Sequence, residues 1–142
     1  MRVHKSLRAE SGASAVEFAL LLPLLMLILF GIIEFGFALY QQAILTNASR
    51  EGARLAIVQS VPPITTTAVG AKIDTYLLSA GIAPASVTQT ISPIVGVTGT
   101  PVTVTLTRPY TFVSLPGLTS LLSGTSLSST ITLTATTVMS HE

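Results

Sequence analysis

GASAVEFALLLPLLMLILFGIIEFGFALY, residues 12 to 40, is a long apolar run with a carboxylate, Glu17, just after its start and a second, Glu34, further on. Arg2, Lys5 and Arg8 precede it. A carboxylate at the head of a membrane helix is costly unless something uses it. The sixteen uncharged residues between Glu17 and Glu34 span about 24 Å of helix, a little short of a hydrocarbon core of about 30 Å. From Ala13 to Tyr40 the run reaches about 42 Å, which is more than enough. One or both glutamates then sit near a membrane boundary, where snorkelling to water relieves most of the penalty. The basic N-terminal flank predicts a cytoplasmic N-terminus and an exported remainder. In a bacterial cell this means the inner membrane.

A cleaved secretory signal is a poorer fit. Its apolar core is typically about 7–15 residues and ends at small residues. Here the core is longer, and the following FALYQQAILTNASREGAR reads as helix without such a site. Composition excludes other classes. Hydrophobic residues make up 49% and charged residues 9%, with mean hydropathy +0.71. A nearly neutral exported domain lacks the basic surface that nucleic acid requires. There is no Cys, hence no disulfide and no thiolate metal site.

The helical pattern continues beyond the membrane run. Tyr40, Ile44, Ala48, Leu55 and Val58 recur at helical spacing, with Gly52 in the same stripe and Gln42, Arg50 and Arg54 on the polar face. Pro62-Pro63 stops it. One helix is therefore expected over 13–59, with its membrane span at about 16–38 and an exported half at about 39–59. A short second helix is expected from Thr66 or Thr67 to Ala80. Its buried face is Val69, Ile73, Tyr76, Leu77 and Ala80, with N-caps among Thr65 to Thr67 and a Schellman stop at Gly81-Ile82.

After Pro84 the period changes to two. VTVTLT (102–107) and ITLTAT (131–136) alternate apolar residue and Thr. That pattern marks antiparallel strands with one face buried and one wet. A low-complexity stalk would lack the alternation. Val87 to Ile94 is a weaker strand interrupted by Pro93, and Gly96 to Pro101 forms a turn to the next strand. LPGLTSLLSG, 115–124, reads as a leucine-rich loop that touches something. The expected architecture is α+β: a basic leader over 1–12, the long helix, and a small exported domain over 60–142. That domain holds one short helix and a three-stranded antiparallel sheet. Its thin core needs the helix, so the sheet is expected to rest on Ile44, Ala48, Gly52 and Leu55.

Two readings attach to SGASAVEF, residues 11–18. In the first, Ser14 and Glu17 form a capping box, S-x-x-E. The second comes from resemblance. A basic leader, a Gly, four residues, then Glu, an aromatic and an apolar helix resembles type IV prepilins, which a membrane peptidase cuts after the Gly. EFALLLP from Glu17, FGIIEFG from Phe30 and AILTNASREGAR from Ala43 further resemble the TadE-like family, pseudopilins of the Tad (Flp) pilus system.

That resemblance implies cleavage between Gly12 and Ala13, an assembly role for Glu17 beside Phe18, and a family motif at Asn47, Arg50, Glu51, Gly52, Ala53 and Arg54. It implies a minor pilin with a membrane, a prepilin peptidase and other pilin or Tad subunits as partners. Phe18 departs from the Tyr usual in major pilins. Cleavage would place an α-ammonium on Ala13, one turn from Glu17, and an opposite charge offsets much of a buried carboxylate's cost.

The remaining residues have plainer readings. Pro23 kinks or locally opens the helix. Glu34 is an interfacial carboxylate or pairs across subunits. Arg50 and Arg54 repel mildly at i,i+4 unless Glu51 or a partner compensates. Asn47-Ala-Ser matches a glycosylation sequon by chance. His4 and His141 lie at opposite ends, and no nucleophile motif, metal cluster or phosphate loop is present. The chain therefore reads as no enzyme, with no cofactor and no small-molecule substrate.

Overall fold

The structure, a computed structural model, describes residues 7–92, 99–125 and 128–141. Arg2, His4 and Lys5 of the leader, Pro93 and Ile94, and the first part of the 96–101 turn lie outside the described residues. Of the basic flank's Arg8 and of Ser11 in the SGASAVEF stretch, only the backbone is described. Helix α1 runs over Leu7–Ala56, α2 over Thr66–Ser79, and a 3₁₀ turn follows over Pro84–Ser86. Next come β1 (Thr88–Ile91), β2 (Pro101–Thr111), helix α3 (Leu115–Ser123) and β3 (Thr130–Ser140). The three strands form one antiparallel sheet in the order β1-β2-β3, so the expected α+β architecture is present.

The chain divides into two compact units, one of Met1–Gly36 with Phe112–Ser129, the other of Phe37–Thr111 with Thr130–Glu142. In the second unit the core is built from α1, α2 and the sheet, with Ile82 and Val87 added by the connection from α2 to β1. The outer part of α1 supplies Ile44, Leu45, Ala48, Ala53 and Ala56; α2 supplies Val69, Ile73 and Leu77; the sheet supplies its alternate residues Val102, Val104, Leu106, Leu133 and Ala135. The alternation thus does what its period requires, with the intervening threonines on the other face. There, Thr105 and Thr136 are register partners with hydroxyls 3.1 Å apart, and Thr111 faces Thr130 in the same way at 3.4 Å. Such cross-strand pairs add to sheet stability.

Both ends of α2 follow from local chemistry. Thr65 is extended, and its hydroxyl accepts from the Ala68 N–H. At the other end Gly81 adopts φ +76, with Gly81 N–H to Leu78 O and Ile82 N–H to Leu77 O. This is the Schellman pattern, and Ile82 and Leu77 are buried together in the core.

Three expectations need correction. The stripe Ile44, Ala48, Gly52 and Leu55 does not face the sheet along its whole length. The sheet is tied to α1 at its earlier turns, where Arg108 Nη1 donates to Gln41 Oε1 (2.6 Å), Gln42 Nε2 donates to Thr134 O (2.9 Å), and Ser49 Oγ lies 2.7 Å from Thr137 Oγ1. Gly52 instead faces α2, where a Cβ would meet Ile73 at 2.7 Å and Val69 at 3.5 Å. The reason is helical drift. Residues eight apart are rotated by about 80° at 3.6 residues per turn, enough to turn the stripe from one neighbour to the next.

Second, α1 begins at Leu7, so Ser14 lies inside the helix of the intact chain and does not serve as its N-cap. The helix ends at Ala56, and its last turn tightens as Val58 N–H donates to Leu55 O. Third, residues 115–124 are not a loop. They form α3, with Pro116 in the first turn and Gly124 closing it in the left-handed region at φ +71.

Candidate functional site

The N-terminal half of α1 is apolar by sequence and bare in structure. Val16, Phe18, Leu20, Leu21, Ile28 and Ile32 are all exposed. The helix segment Gly12–Ala56 is long and apolar enough to cross a membrane, and none of its most apolar window is buried by the protein. Exposure of so many large apolar residues in water would be prohibitive. Lipid tails remove the penalty, and an α-helix satisfies its backbone groups internally. Pro23 lies within this stretch, and the helix continues through it. Its ring leaves the Ala19 carbonyl without its usual donor.

Gly12, Glu17 and Phe18 all lie on the exposed surface of this helix. A Cβ at Gly12 would meet nothing within 4 Å, so no packing demand of the described chain explains a glycine there. Ala13 and Glu17 are four residues apart on one helical face.

Glu34 is the finding that sequence reading did not reach. Its carboxylate is not left to water. It is buried, with 8% of its surface exposed. Its Oε1 accepts from the N–H groups of Val113 (3.0 Å) and Ser114, and its Oε2 accepts from Leu115 N–H at 3.4 Å. These are the donors at the N-terminus of α3. Free N–H groups and the helix dipole make that terminus an anion site, and the chain fills it with its own carboxylate. Phe35 stacks obliquely on Phe112 at 5.4 Å, and Leu115 comes within 3.7 Å of where a Gly31 Cβ would be. FGIIEFG (30–36) is therefore the seat of α3, with Gly31 allowing close approach.

The outer motif divides between core and surface. Asn47 and Arg50 are exposed, whereas Gly52 and Ala53 are buried. Arg54 donates through Nη2 to Glu51 Oε1 (2.9 Å) and through Nε to Oε2 (3.1 Å). Lys72 Nζ of α2 lies 3.4 Å from the same Oε1. Glu51 thus compensates Arg54 and ties α1 to α2. The Arg54 hydrogen bonds, joined by Lys72 and opposed by desolvation, hold the Glu51 carboxyl below its ordinary value. A depressed carboxyl contributes stability that is full above its unfolded value and lost as pH falls through its folded one. Glu51→Gln should therefore lower the neutral plateau of thermal stability slightly and leave the acid end unchanged, which flattens the acid limb. The effect is small because Arg54 is 71% exposed. A melting series from neutral to acid pH checks it. Among the described residues no group of three or more His, Asp or Glu is placed to hold a metal.

Comparison with known families adds one match. Residues 12–54 fit the family model described as TadE-like protein. The TadE-like segment begins at Gly12, spans Glu17 and the Glu34 seat, and ends at Arg54. The matched segment lies within the helix that, among the described residues, is long and apolar enough to cross a membrane. No curated protein and no solved structure matches the chain.

Proposed function

We propose that this protein is a minor pilin of a Tad (Flp) pilus. It enters the inner membrane with its N-terminus in the cytoplasm, is trimmed after Gly12 by a prepilin peptidase, and serves in assembly or priming of the filament with other pilin or Tad subunits. The observation that carries this reading is the TadE-like match, which opens at Gly12 itself on a helix whose apolar surface the protein leaves bare. The family is one of pilus components and not of enzymes. Asn47 and Arg50, exposed on the outer helix, are open to neighbouring subunits, as is the outer side of Arg54.

Trimming turns Ala13 into the first residue and makes its α-ammonium the counter-charge for Glu17. It also changes the role of Ser14, which then lies within the first turn and regains access to the free N–H groups there. N-terminal sequencing of membrane-extracted protein tests the reading directly. The expected N-terminus is Ala13 in cells with an active prepilin peptidase, and Gly12→Leu retains the leader. Wild-type protein that keeps Met1 to Gly12 in such cells favours a different function, an uncleaved single-pass membrane anchor carrying a small exported binding domain.

Glu17 tests the pairing separately. As a cap alone, Glu17→Ala costs about 1 kcal/mol or less of helix stability and leaves assembly intact. As the partner of a buried ammonium, both Glu17→Ala and Glu17→Gln are cleaved but no longer co-purify with pilus components. Normal co-purification of both variants removes the pairing from the mechanism.

A further inference from the structure

The first unit contains an apolar element that α1 alone does not account for. Helix α3 and the residues leading into it, FVSLPGLTSLLSG (112–124), carry no charge, and none occurs from Pro109 to Ser140. Val113 is 85% exposed and Leu121 76%. In an aqueous loop this would be an unexplained apolar surface. Here it is seated by Glu34, Gly31 and Phe35 on the same helix that crosses the membrane.

Its depth follows from that seat. With the membrane span at about 16–38, Glu34 lies four residues, or about 6 Å, inside its exported-side end. The start of α3 is therefore held at the outer membrane boundary.

The polar groups of α3 are arranged for that boundary. A segment entering lipid must satisfy its backbone internally. At its start, Leu115 N–H is taken by Glu34, Pro116 has no N–H, and Leu118 N–H donates to Ser114 O. At its end, Gly124 N–H donates to Ser120 O. Its hydroxyls turn inward too. Thr119 Oγ1 donates to Leu115 O and Pro116 O, and Ser123 Oγ donates to Thr119 O.

We propose that α3 is a membrane-surface helix, embedded in the boundary between headgroups and acyl chains of the bilayer that α1 crosses, with Val113 and Leu121 in lipid. The Glu34 carboxylate is thereby sealed between two protein helices instead of facing hydrocarbon. The partner is the bilayer and not a particular headgroup, because α3 has no Lys or Arg with which to select anionic lipid. The inference rests on the membrane span of α1 and is independent of the pilus role.

The chain has no Trp, so one introduced residue reports its own depth. Full-length Leu121→Trp, reconstituted in phosphatidylcholine vesicles, should emit at short wavelength. Lipids brominated near the headgroup end of the acyl chain should quench it strongly. Acrylamide should quench it several-fold less than it quenches Leu78→Trp, an exposed site on α2. Val113→Trp is a second reporter at a site too exposed to disturb folding. Acrylamide quenching equal to that of Leu78→Trp overturns the proposal in favour of a solvated helix. Protection from both quenchers at both reporters overturns it in favour of a protein cover, such as a second copy of the chain.

Discussion

Gly52→Leu should make the protein markedly easier to unfold and to cleave. The position has no room. A Cβ at Gly52 would stand 2.7 Å from both Cδ1 and Cγ1 of Ile73, with Val69 Cγ1 at 3.5 Å behind. Ile73 and Val69 are fully buried in the core, so neither can swing into free space. Even Gly52→Ala forces α1 and α2 apart slightly, and Leu adds three more carbons. Overpacking of this kind costs about 1–3 kcal/mol. Removing a glycine from a helix interior returns up to about 1 kcal/mol, so the net effect is destabilising and is largest for Leu. It removes a large share of the stability of so small a domain. Limited proteolysis of the full-length protein in detergent, scored in the 57–111 region, checks it. A Leu variant as resistant as wild type would mean that α2 does not rest on Gly52.

Glu34→Ala should release α3. Three backbone donors lose a charged acceptor at once. Hydrogen bonds to charged groups contribute about 1.5–3 kcal/mol each, and donors left unmet in a buried place cost a similar amount. A loss of roughly 3–5 kcal/mol at this seat follows even if the terms overlap. A nine-residue helix has no stability of its own to set against that. Hydrogen exchange should show amides of 113–123 losing protection while β2 and β3 keep theirs. Glu34→Gln retains one oxygen acceptor without the charge and should fall between the two. Unchanged protection in the Ala variant would mean that the aromatic contact and Leu115 hold α3 by themselves.

These two positions also show where sequence reading succeeds and where it ends. Periodicity located α1, α2 and the strand cores, because each buries a face at its own repeat. The caps of α2 were legible because their chemistry is local: Thr65 at one end and Gly81-Ile82 at the other. Strand lengths were not. VTVTLT gave way to Arg108-Pro109-Tyr110, which breaks the alternation, yet β2 continues to Thr111. The proline is tolerated because β1 reaches only Thr107. Beyond that point β2 has a neighbour on one side alone, where a missing N–H costs little.

Helix α3 was hidden for the opposite reason. Its nine residues include a Pro, a Gly and three hydroxyl side chains, a composition that reads as loop. What makes them helical is a carboxylate about eighty positions earlier in the chain. No local window contains both halves of that contact. The motif at 47–54 was legible as a family feature, but only the structure shows Gly52 taken by α2, and Glu51 by Arg54 and Lys72.

The ties between α1 and β3 set the order in which the second unit can mature. Gln42 bonds to Thr134 and Ser49 meets Thr137, pairs separated by 92 and 88 positions. The outer half of α1 is therefore completed only once β3 has been made. Contacts of such sequence separation form slowly, since the intervening chain must be ordered before they reward it. Until Thr130–Ser140 has left the ribosome, Ile44 and Leu45 lack their full cover and β2 keeps an open edge, the kind of surface that invites pairing with other chains. A stop codon before Thr130 would make that open edge of β2 permanent.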